Sequence, residues 1–134
     1  MFRFFAFCTI VMTFTLPKAA AQCNDTTFQN FICKMWKVKS VTIDGKSDSL
    51  TIYQKESSLT FMRNGRCENK SNGFIRIDTW RYNKEKKRIE LKDTTTGHVA
   101  KLNILEMKKD TLIFNFKPQK KLVKMEIVAV NAGN

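Results

Sequence analysis

From Trp36 onward, apolar and polar residues alternate with a period of two, in short blocks rich in β-branched and aromatic side chains. This pattern predicts strands over residues 35–44, 58–63, 66–71, 73–83, 88–93, 98–107, 111–117 and 122–130. The separators carry turn chemistry: Asp44-Gly45-Lys46 in the one long connection, then Asn64-Gly65, Ser71-Asn72-Gly73, Asn83 to Lys87, Thr94 to Gly97, Lys108-Lys109-Asp110 and Pro118 to Lys121. Asn64-Gly65 predicts a two-residue type I′ turn, because Asn and Gly best tolerate the positive φ needed at both positions. Ahead of the strands, Phe28, Phe31, Ile32 and Met35 recur at i, i+3, i+4 and i+7. They predict one short helix over residues 26–34, capped by Asn24 or Asp25.

Hairpin-length links exclude parallel pairing, which needs crossovers of about a dozen residues or more. An open eight-stranded meander would leave two edges and an apolar face that a single short helix cannot cover. Closure removes both problems at once. The expected fold is therefore all-β: an eight-stranded antiparallel up-and-down barrel with a short N-terminal helix. Alternation points Trp36, Val38, Leu59, Phe61, Trp80, Tyr82, Ile89, Leu91, Leu102, Ile104, Leu112, Phe114, Met125 and Ile127 inward. An eight-stranded interior is either filled by side chains or holds one small ligand.

The first residues are of another kind. Met1-Phe2-Arg3 is a short positive start, Phe4 to Leu16 is mostly apolar, and Ala19-Ala20-Ala21 precedes Gln22 as a small-residue cleavage site would. Residues 1–21 thus read as a secretory signal peptide and residues 22–134 as a single domain. Of the 134 residues, 24 are Lys or Arg and 12 Asp or Glu, a formal net charge of +12. Cleavage removes Arg3 and Lys18 and leaves the mature chain at +10. With 11 Phe, two Trp and two Tyr the chain carries too much apolar surface for a disordered basic tail. The expected destination is the periplasm or the exterior, with lipid anchoring at Cys23 as the variant reading of the leader.

Cys8 leaves with the leader, so Cys23, Cys33 and Cys67 are the disulfide candidates of an exported chain, with Cys33–Cys67 the favoured pair. No Cys-x-x-Cys is present and the single His is far in sequence from every Cys, so no metal or cofactor is expected. Residues 24–26 and 69–71 match Asn-x-Ser/Thr, which matters in a glycosylating host.

Several short motifs carry a resemblance. Lys34-Met35-Trp36-Lys37-Val38, Leu59-Thr60-Phe61-Met62-Arg63-Asn64-Gly65, Asp78-Thr79-Trp80-Arg81-Tyr82 and Lys109-Asp110-Thr111-Leu112 together resemble the small lipocalin-like domains of exported Bacteroidetes proteins, over about residues 34–130. Lys34 stands where lipocalins proper carry the Gly of Gly-x-Trp, and only Lys121 or Lys124 is offered in place of the Arg they pack over that Trp. The resemblance implies a calycin-type barrel with a small hydrophobic molecule as the ligand class. The expected ligand-binding wall is Phe61, Trp80, Tyr82, Leu91, Leu102, Ile104, Phe114, Met125 and Ile127.

Charge suggests a second role. Connections of an up-and-down barrel alternate between its ends, and the end shared with the helix gathers Arg63, Arg66, Lys84, Lys86, Lys87, Arg88, Lys108 and Lys109 against Glu85 and Asp110. The opposite end holds Lys46, Lys55, Lys70, Lys117, Lys120 and Lys121 against Asp44, Asp48, Glu56 and Asp93. The alternative function is accordingly an envelope-associated module with a packed barrel, whose basic end binds a polyanionic lipid or polysaccharide surface. Nucleic acid is not an expected partner, since no reading motif occurs. Catalysis has little to work with: His98 reads as a half-exposed strand residue, Asp78 as a solvated rim carboxylate rather than a buried partner of Arg76 or Arg81, which would need a bulge, and no nucleophile or phosphate-loop motif appears. The sequence points to a monomeric, non-enzymatic binding protein.

Overall fold

Residues 26–130 are described in a computed structural model. The elements run α1 (Thr26–Ile32), β1 (Met35–Ile43), β2 (Lys46–Asp48), α2 (Ile52–Glu56), β3 (Ser58–Phe61), β4 (Arg66–Ser71), β5 (Phe74–Asn83), β6 (Arg88–Asp93), β7 (Val99–Lys108), β8 (Thr111–Phe116) and β9 (Val123–Ala129). All strand pairs are antiparallel. Each strand from β3 to β8 pairs with the next, β1 pairs with β3, and β9 returns to β1, which closes an eight-stranded up-and-down barrel. β2 lies outside the ring, as a short arm on the far half of β1. The signal peptide, Cys8, Cys23 and the helix cap at Asn24 or Asp25 lie outside the described residues.

The eight strands read from alternation coincide with β1 and β3–β9 to within two residues at either end. All fourteen side chains expected inside belong to the core or pack against it. Two bulges keep that phase where the strands bend. One falls between Val38 and Ser40 of β1, so the register sets Val41, not Ser40, on the face of Met125. The other falls between Ile104 and Glu106 of β7 and leaves Leu105 exposed.

Three local expectations are corrected. The Asn64-Gly65 hairpin is not type I′: only Gly65 has positive φ, at 83°, and its N–H donates to the Met62 carbonyl at 3.1 Å. Asn64 Oδ1 accepts the Arg66 N–H instead, an interaction that holds Asn64 out of the left-handed region. The type I′ signature occurs at Asn72-Gly73, with φ of 52° and 77°, and at Asp44-Gly45, with φ of 48° and 81°. The Asp44-Gly45 turn makes the hairpin to β2 that alternation overlooked. In the same long connection, α2 is nucleated by a capping box: Thr51 Oγ1 accepts the Gln54 N–H at 3.1 Å while Gln54 Oε1 accepts the Thr51 N–H at 2.9 Å. Finally, α1 stops at Ile32, and Met35 belongs to β1 with 43% of its surface exposed.

α1 closes one end of the barrel. Seven residues are too few to make an isolated helix stable, so it depends on its contacts. Ile32 is fully buried, and Phe28 stacks on Tyr82 with ring centroids 3.7 Å apart and planes within 8°. Phe31 meets Trp36 at 5.3 Å, and Phe61 meets Trp80 edge-on at 5.6 Å. Both indole N–H groups find carbonyls here, Trp36 on Ile32 and Trp80 on Met62, each at 2.9 Å. Among the described residues no buried side-chain nitrogen or oxygen lacks a partner.

Candidate ligand site

The aromatic packing ends partway up the barrel. Toward the end opposite α1 the interior opens into a cavity of about 580 Å³, within the 300–1,000 Å³ span usual for small-molecule sites. Its two sides differ in chemistry. Trp36 and Val38 of β1, Ala100 and Leu102 of β7, Phe114 and Phe116 of β8, and Met125 and Ile127 of β9 make a continuous apolar wall, joined by Leu59 and Leu91. Across from it, β4 and β5 present Asn69, Ser71 and Arg76, and Gln54, Ser57 and Ser58 extend that polar side around the mouth. Phe74 and Ile75 stand at the rim.

The polar side follows from strand geometry. Successive side chains alternate faces, so Cys67, Asn69 and Ser71 share the inner face of β4, while Arg76, Asp78, Trp80 and Tyr82 share that of β5. Asp78 is 1% exposed, which corrects its reading as a solvated rim carboxylate. It accepts two hydrogen bonds from Arg76, from Nε at 3.0 Å and from Nη2 at 3.1 Å. No bulge is needed for this pair, because residues i and i+2 of one strand lie on one face and β5 keeps continuous register with β4 and β6. The bond to Asp78 holds the Arg76 guanidinium proton more firmly than usual. The Arg76 side chain is itself 54% exposed, with Nη1 3.9 Å from Asp93. Asp93 is also bound to its own turn, where its carboxylate accepts the Thr95 and Thr96 N–H groups, and these hold it below the ordinary Asp range.

Five of the nine expected ligand-wall residues line the cavity: Leu91, Leu102, Phe114, Met125 and Ile127. Phe61, Trp80, Tyr82 and Ile104 do not. Phe61, Trp80 and Tyr82 point inward as expected but are consumed by packing at the α1 end, and Ile104 packs against the same core. Apolar alternation overlooked the polar wall because it followed only large apolar side chains. The same even-numbered spacing that placed Trp80 and Tyr82 inside also places Arg76 and Asp78 there.

The cysteines do not form the favoured pair: Cys33 and Cys67 are free thiols. Cys67 is fully buried on the inner face of β4, opposite Asp78, while Cys33 follows α1 at the closed end. Burial, reinforced by the neighbouring Asp78 charge, pushes the Cys67 thiol up to about 12. Asn69, the acceptor of the second glycosylation match, lines the cavity. His98 is exposed just before β7, and its N–H donates to Thr96 Oγ1. Among the described residues, no group of three or more His, Cys, Asp or Glu could hold a metal ion.

At the closed end the basic residues are not equivalent. Arg88 is turned to the barrel wall, where it and Arg81 grip Glu90. Burial would raise the Glu90 carboxyl, but these two guanidinium partners outweigh it and hold the group below its usual range. Arg63 donates to Asn30 Oδ1 of α1, and Lys108 pairs with Glu106 at 3.1 Å. Arg66, Lys84, Lys86, Lys87 and Lys109 are exposed, with no ion pair among the described residues.

No family model, curated protein or solved structure matches the chain.

Proposed function

We propose that this chain is a non-enzymatic, exported binding protein whose barrel takes up one small, mostly apolar molecule bearing a polar end. The observation that carries this reading is the two-sided cavity, with its apolar wall on β7–β9 and β1 and its polar wall on β4–β5. An apolar ligand face gains roughly 25 cal/mol for each Å² withdrawn from water. A polar end set against Asn69, Ser71 and Arg76 keeps those groups satisfied when water leaves. Arg76 suits this role because Asp78 fixes its Nε and Nη2, while Nη1, 3.9 Å from Asp93, makes no hydrogen bond to Asp78. The leader-like residues 1–21 support export, and the resemblance to small lipocalin-like domains supports a carried hydrophobic ligand.

The test has two parts. Native mass spectrometry of the purified protein, compared with its denatured mass, reads out any bound small molecule, and titration with an apolar fluorescent probe measures the cavity directly. Ala100→Trp places an indole inside the cavity at a position outside the aromatic stack beside α1, and is expected to abolish probe binding while circular dichroism stays that of a barrel. Wild-type probe affinity in Ala100→Trp would overturn the reading.

A further inference from the structure

The open end is edged by large apolar side chains that the fold does not need. Among the described residues the four most exposed large hydrophobics are Phe74 at 77%, Ile52 at 70%, Ile75 at 57% and Tyr53 at 56%, and all four stand at this mouth. Two come from α2, which has no buried residue, and two from the tip of the β4–β5 hairpin. Scattered exposed apolar residues are ordinary, but a cluster of this size on one end marks an interaction surface.

The charges around it indicate what it meets. Lys46, Lys55, Lys70, Lys117, Lys120 and Lys121 surround the mouth, all exposed and none in an ion pair among the described residues. The sequence places them among the apolar groups: Lys55 is two residues from Tyr53, Lys121 adjoins the partly exposed Leu122, and Lys70 is the cross-strand partner of Ile75. Of the four acidic residues at this end, two cap turns and keep their charge. Asp44 Oδ1 accepts the Leu122 N–H, and Asp93 accepts the Thr95 and Thr96 N–H groups. With Asp48 and Glu56, the four carboxylates stand against six lysines, which leaves this end basic. The strand exteriors, by contrast, bear exposed Lys37, Lys39, Lys92, Lys101 and Lys124, the inverse of the apolar outer band with which a barrel spans a bilayer.

We infer that the open mouth docks on an anionic lipid bilayer, with Phe74, Ile75, Ile52 and Tyr53 entering the interface and the lysines resting on the headgroups. Apolar insertion combined with Lys attraction is the energetic design of interfacial binding, in which neither part suffices alone. A mouth seated this way opens the cavity onto the bilayer rather than onto bulk water. Docking does not require a bound ligand, so it stands or falls apart from the cavity's function.

The test is co-sedimentation of the purified protein at low salt with phosphatidylcholine vesicles, with and without phosphatidylglycerol. Binding is expected to the mixed vesicles and to fade in high salt. Ile52→Ser with Tyr53→Ser, neither of which lines the cavity, is expected to weaken vesicle binding roughly tenfold while probe binding in solution is unchanged. Replacing Lys117, Lys120 and Lys121 by Gln should weaken it by more than tenfold, since each lysine near such a surface adds its own attraction to the headgroups. Replacing Lys84, Lys86 and Lys87 by Gln at the closed end should leave it intact. A Phe74→Trp reporter is expected to shift its emission to the blue on mixed vesicles. Unaltered binding by both mouth variants, loss of binding only in the closed-end variant, or a silent Phe74→Trp reporter would each overturn the inference.

Discussion

The Arg76–Asp78 pair is asymmetric in a way that dictates how it fails. Asp78 is buried and Arg76 is half in solvent, so each partner's removal strands a different charge. Arg76→Ala abandons a carboxylate in a water-poor interior and is expected to cost about 3 kcal/mol. Asp78→Asn leaves a guanidinium that water can reach and is expected to cost about 1 kcal/mol or less. Urea denaturation of the two variants checks the order, and equal losses would contradict it. Cys67 permits a second test at this scale. Its folded thiol stays protonated up to about 12, whereas the ordinary value is 9.0. Between those limits the unfolded chain releases a proton that the folded one retains, so stability holds below pH 9.0 and declines as pH rises toward 12. Cys67→Ala should flatten that decline in thermal melts. In the native protein at neutral pH, iodoacetamide should spare Cys67 until denaturant is added.

Elements divide into those that hold the barrel and those that border its mouth. α1 is of the first kind although it is short, because Phe28 and Ile32 are buried and Phe28 stacks on Tyr82. Phe28→Ala is expected to cost about 3 kcal/mol, as large-to-small changes of buried aromatics do, seen as a lower urea midpoint with unchanged slope. α2 is of the second kind: its capping box organises it, but it buries no side chain. The eight barrel strands were legible from the sequence because each turns its large apolar residues to the interior face, which writes a period of two into the chain. β2 and α2 were not, because neither buries a face. β2 is exposed at all three of its residues and owes its place to the Asp44-Gly45 turn. The candidate site was legible in half. Its apolar wall followed from alternation, while its polar wall came from residues such as Asn69 and Arg76, whose type marks them as surface until neighbours in the strand fix the face.

At the scale of the whole molecule, the interior is graded from end to end. Next to α1 the aromatic rings interlock. Toward the mouth the same barrel carries a cavity of about 580 Å³ under a helix with no buried residue. Amide hydrogen exchange is expected to follow that gradient, slowest in the strand segments around Trp36, Leu112 and Ile127 and fastest in α2 and the β4–β5 tip, with a bound ligand slowing the mouth most. Uniform protection along β4 and β5 would contradict it.

That gradient also governs how such a chain can diverge. Substitutions near α1 disturb interlocked rings and weaken folding. Those at Asn69, Ser71 or Ala100 change the lining of the cavity while leaving intact the rings beside α1. On the binding role proposed above, a lineage carrying this scaffold could exchange one cargo for another in a few steps, with its history preserved at one pole and rewritten at the other.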